Sequence, residues 1–170
     1  KDRNTEVRRE TVLALKRLNA SQSAPALMEA LKTETEQGVK YDIARTLGTF
    51  GDRGAVFVLM NVLTKEKSWY VKSGCVEALG NIGGDMAMNA LAKILVTDAG
   101  DDAGWARTKA AWALTAVGPK SIPLLVLGSV VASKTANGTF HHLIALFCTV
   151  AGNAGRTRWA VRDFSMKSTT

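Results

Sequence analysis

The sequence has little of what catalytic or disulfide-built proteins rely on. Of 170 residues, two are cysteine, two histidine and three proline, and aromatics make up 6%. Cys75 and Cys148 lie far apart, each inside a helical pattern, so they read as reduced core thiols rather than a disulfide or metal pair. That fits a reducing, cytoplasmic location. His141 and His142 are adjacent. Neighbours on a helix diverge by about 100 degrees and do not converge on one metal as an i, i+4 pair can. No Gly-x-Ser-x-Gly, P-loop or CxxC occurs. Asp98, Asp101 and Asp102 lack the alternating ligands and closing Glu of a calcium loop. The expectation is no catalytic constellation, no metal and no cofactor: not an enzyme.

Long apolar runs are missing too. Ile122 to Ala132 and Leu143 to Ala151 reach about half of the roughly 20 residues a membrane span needs, so they read as buried helices. The start, Lys1-Asp2-Arg3-Asn4, is charged and no apolar leader segment follows it. It also lacks an initiator Met, as expected of a piece cut from a longer chain.

What is present is Ala, Leu and Val in quantity, a hydrophobic share of 46% and a net charge of +7. That is enough apolar surface for one domain with a substantial core. The charge is unevenly spread. Residues 1–107 hold 15 basic side chains against 14 acidic, and residues 108–170 hold 7 against 1. The basic character therefore belongs to the C-terminal third.

An acid recurs six residues before a base: Asp2 and Arg8, Glu34 and Lys40, Glu66 and Lys72, Asp101 and Arg107. Val7, Val39, Val71 and Ala106 precede the bases, and the frames are 32, 32 and 35 residues apart. Periods of this size mean stacked helical hairpins. Each frame opens a helical pattern: Val7, Val12, Leu15, Leu18; Val39, Ile43, Ala44, Leu47; Val71, Cys75, Val76, Leu79; Ala110, Ala111, Leu114, Val117. A second helix follows each, and Ser23 with Pro25 marks the start of the first of these. Gly51, Gly83 and Gly118 fall where a left-handed residue releases a chain from its helix, while Gly48 and Gly80 are placed for close helix approach. Asp85 and Ser121 are expected to cap the helices after them. Beyond Ser133 the frame degrades, as at the end of a repeat array.

These features resemble HEAT repeats, in the HEAT-like form typical of bilin-lyase-type proteins. The resemblance rests on Leu-Gly-Thr-Phe-Gly-Asp at 47–52, Val-Lys at 71–72, Ala-Leu-Gly-Asn-Ile-Gly-Gly-Asp at 78–85 and the four acid–base frames. It covers residues 2 to about 132. It implies an all-α, right-handed α-solenoid of stacked antiparallel helical hairpins, with repeats at about 2–33, 34–65, 66–100 and 101–134, and a partial one at 135–170, in a single domain over 1–170. It also implies a ladder from repeat to repeat through Asp2, Arg8, Glu34, Lys40, Glu66, Lys72, Asp101 and Arg107. The absence of a His-Glu dipeptide argues against the HEAT-like iron hydroxylases.

The candidate binding residues are aromatic and basic. Trp69, Tyr70 and Trp105 stand at loop-to-helix junctions, where aromatics either anchor a partner or pack across neighbouring hairpins. Arg156, Arg158 and Arg162 surround Trp159, and Arg158 and Arg162 share a helix face suited to phosphates or acidic protein. Trp112, inside an Ala-rich helix, is expected in the core. The function expected from the resemblance is a protein–protein interaction scaffold or adaptor, its partner unidentified. The alternatives are nucleic-acid binding by the basic C-terminal third and an accessory subunit of a lyase-type enzyme. The apolar C-terminal repeats also offer a homodimer surface.

Overall fold

The structure, a computed structural model, describes residues 4–96 and 103–126, with the backbone alone at residues 96, 103–105 and 119. The elements in chain order are α1 (Thr5–Arg17), a 3-10 turn (Ser21–Ser23), α2 (Ala24–Thr33), α3 (Gln37–Phe50), α4 (Ala55–Lys65), α5 (Trp69–Ile82), α6 (Gly84–Val96), α7 (Ala103–Val117) and a second 3-10 turn (Pro119–Ser121). Helical backbone resumes over 122–126, and no strand occurs among the described residues.

The helices form two layers. In the first, α1 packs on α3, α3 on α5 and α5 on α7. In the second, α2 packs on α4 and α4 on α6, and each of α2, α4 and α6 also packs against the first-layer helix that follows it. This is the all-α, stacked-hairpin architecture that the repeat frame predicts.

The core follows the periodic apolar positions. Val39, Ile43, Ala44 and Leu47 of α3 are buried, as are Val71, Cys75, Val76 and Leu79 of α5 and Ala110, Ala111 and Leu114 of α7. Leu27, Leu31, Leu59, Leu91 and Leu95 close the same core from the second layer. Each such leucine contributes roughly 1.5–3 kcal/mol relative to exposure. Three expectations need correction. Val7 on α1 and Leu18 just past its end lie exposed, because no described helix packs on the side of α1 away from α3. Trp112 is 58% exposed, because α7 turns its small residues and Leu114 inward and leaves the indole outside. Asp85 lies within the first turn of α6, and the Ser121 hydroxyl donates to the Gly118 carbonyl at 2.7 Å, so neither caps a helix as expected.

Glycine sets the spacing of the first layer. A Cβ added at Gly48 would come within 2.6 Å of Ala78 Cα, and one at Gly80 within 2.8 Å of Ala113 Cβ. The bare backbone at these two positions lets α3 approach α5, and α5 approach α7, with almost nothing between. At the hairpin turns Gly51 (φ 68°, ψ 17°) is left-handed as expected. Gly83 also has positive φ (62°) but ψ −157°, a backbone conformation essentially reserved for glycine. The first hairpin has no glycine there, and Asn19 takes the positive φ (48°), which its short polar side chain tolerates better than most.

Candidate functional site

Among the described residues, two of the frame bases meet the acid of the next repeat. Arg8 on α1 donates from Nε and Nη2 to the two carboxylate oxygens of Glu34, 2.9 Å each, a bidentate pair. Lys40 on α3 donates to Glu66 at 2.6 Å. Each acid stands one residue beyond a second-layer helix, and its carboxylate also accepts the next two backbone N–H groups. Those are Thr35 and Glu36 for Glu34, and Lys67 and Ser68 for Glu66. One carboxylate thus holds the turn into the next hairpin and ties it to the helix behind. The Lys40 hydrogen bond, helped by the two amides, holds the Glu66 carboxyl below its ordinary value of 4.5 against the opposing effect of burial.

Lys72 is half-buried and Arg107 is buried at the matching positions of α5 and α7. Asp2 and Asp101 lie outside the described residues. Arg8 and Lys40 are thus both committed to carboxylates at the joints between hairpins.

A second set of contacts runs over the open side of the first layer. Trp69 meets Tyr70 edge-on, with ring centroids 5.9 Å apart, and Tyr70 stacks on Tyr41 of the preceding hairpin at 4.2 Å. Gly74 makes room for this, since a Cβ there would come within 2.8 Å of the Tyr41 ring. Arg45 lies over the Tyr41 ring, 5.5 Å from its centroid, and pairs with Glu77 at 2.9 Å. Burial raises the Tyr41 hydroxyl above its usual value of 10.0, so the phenol stays protonated. Arg9 and Asp42 add a further cross-repeat pair at 2.9 Å.

Tyr41 and Glu77 also line a hollow of about 280 Å³, closed on its far side by Lys109 and Trp112 of α7. A continuous track of aromatic and charged side chains therefore runs from Trp69 to Trp112 across α3, α5 and α7. Tyr70 packs across hairpins, while Trp69 and Trp112 stay more than half exposed. Sequence reading picked out Trp69 and Tyr70 but missed Tyr41, Arg45, Glu77 and Lys109, none of which repeats as a residue type from frame to frame. Stepping Arg45 by one frame gives Glu77, and Glu77 by the next gives Trp112; that step was the available signal. The side chain of Trp105, and all of Arg156, Arg158, Trp159 and Arg162, lie outside the described residues.

Among the described residues no group of three His, Cys, Asp or Glu side chains could hold a metal. No described helix is long and apolar enough to cross a membrane. Cys75 is buried, and burial pushes its thiol up to about 12, which makes it inert rather than nucleophilic.

Hairpins stacked into two layers of helices, coupled by ion pairs at a 32-residue step, define a helical repeat array. Residues 1–72 match the family model of HEAT repeats, which supports the HEAT-like resemblance of the repeat frame. No curated protein matches it.

Proposed function

We propose that this chain is a protein–protein interaction scaffold that engages its partner through the open side of the first helix layer. HEAT repeats generally serve as interaction scaffolds, and the repeat match supports that role at the level of the class. The observation that carries the choice of surface is the track from exposed Trp69 through half-buried Tyr70, Tyr41 and Arg45 to exposed Glu77 and Trp112. Interfaces favour Trp, Tyr and Arg, because each adds large contact area and a polar handle. Here all three types sit together on stiff helices, so a partner does not have to order them.

Affinity capture from lysate with the full chain as bait tests the reading. It expects a protein partner recovered near one to one, and none recovered at that level would count heavily against it. A nuclease-treated sample separates protein capture from nucleic-acid bridging by the basic C-terminal third.

A further inference from the structure

The hollow between α3, α5 and α7 has an unbalanced hydrogen-bond inventory. Among the described residues, Tyr41, Asn81, Lys109 and Trp112 line it, and their side chains make no protein hydrogen bond. The ammonium and the indole can only donate. The single lining carboxylate, Glu77, is already joined to Arg45, and the Ser73 hydroxyl donates to the Tyr70 carbonyl at 2.9 Å. Between the two aromatic walls, Tyr41 and Trp112, the floor is built from Val76, Gly80, Ala113 and Ala116.

A surface rich in donors beside an open indole face selects a ligand rich in acceptors and poor in donors. A helical ligand has committed its carbonyls internally, and a strand brings one donor for every acceptor. A polyproline II segment has open carbonyls, no N–H at its prolines and flat rings that pack on aromatic side chains. Charge narrows the choice further. Glu77 balances Arg45, which leaves Lys109 as the uncompensated charge in the lining. We propose that this hollow binds an extended proline-rich segment carrying an acidic residue, with the open indole of Trp112 packing on the prolines and Lys109 meeting the acid. The proposal rests on the interaction-scaffold reading and names the ligand class for its surface.

The test is fluorescence anisotropy with the full chain and three labelled peptides: five prolines flanked by glutamates, the same five flanked by serines, and an amphipathic helical peptide with the same glutamates. The expected result is saturable binding of the glutamate-flanked proline peptide. Trp112→Ala weakens it by at least about tenfold. Lys109→Ala removes the advantage of glutamate over serine flanks. Both side chains are exposed, so unchanged melting by circular dichroism establishes that the variants fold. No saturation below about 1 mM, the weak end of the affinity scale, equal affinity in Trp112→Ala, or tighter binding of the helical peptide would each overturn the proposal. If affinity capture recovers a partner while the proline peptide fails, this inference falls and the scaffold reading stands. If both fail, both fall.

Discussion

Arg8 and Glu34 stand 26 residues apart and form a bidentate pair whose carboxylate is almost fully buried, with its side chain 2% exposed. The contact joins the first helix of one hairpin to the turn that opens the next. Its value depends on that burial. Glu34→Ala takes the bidentate acceptor from the Arg8 guanidinium and leaves two turn amides without an acceptor, and a loss of about 2–4 kcal/mol is expected in urea unfolding. Glu77→Ala, which removes an exposed pair with Arg45, should cost within about 1 kcal/mol. Equal losses would show that burial does not set the worth of these pairs.

The second rung has a pH signature. The Glu66 carboxyl is held below its ordinary 4.5 in the folded state, chiefly by Lys40. A depressed folded value means that the stabilisation is present above about 4.5 and is lost as pH falls through the folded value. Melting of the wild type between pH 6 and pH 3 should therefore fall more steeply than that of Glu66→Gln. Parallel curves would remove Glu66 from the account.

Helix spacing gives a prediction of opposite signs. Gly48→Ala drives a Cβ into the backbone of α5, where neither side can yield cheaply, and it should destabilise by about 1–3 kcal/mol. Gly38→Ala, also within a helix but with nothing within 4 Å of the added carbon, should stabilise by about 0.5–1 kcal/mol. Thermal melts of the two variants beside the wild type decide it.

Cys75 supplies a probe of core opening. In a Cys148→Ser background it is the sole thiol. Buried and with its thiol pushed up to about 12, it should resist alkylation at pH 8 until the array unfolds. Rapid labelling of the native protein would mean that the α5 core opens readily.

The array was legible in the sequence because its determinants repeat. Val39 and Val71, Leu47 and Leu79, and Gly48 and Gly80 occupy the same places in successive frames, and each pair has the same burial. The Arg8–Glu34 and Lys40–Glu66 contacts also keep one spacing. Trp112 was misplaced in the core because its Ala-rich neighbours look uniformly apolar, and the side α7 turns inward depends on where Gly80 admits Ala113. Val7 and Leu18 fit the apolar pattern equally well, yet burial needs a neighbour as well as a pattern, and α1 has one on a single side only. The Trp69-to-Trp112 track escaped notice for a different reason. Its equivalent members, Arg45, Glu77 and Trp112, carry three different residue types, and Tyr41, Trp69 and Tyr70 stand at other places in the frame, so no recurring residue type marks it.

The most direct measurement compares partner capture by variants of the two layers. Phe57 on α4 is 70% exposed and belongs to the second layer, which makes Phe57→Ala a control for the loss of a large exposed ring. The account predicts a stoichiometric partner retained by the wild type and by Phe57→Ala, and lost when Trp69→Ala and Trp112→Ala are combined. Retention by the double tryptophan variant, with loss in Phe57→Ala, would place the interaction on the other layer and contradict the account.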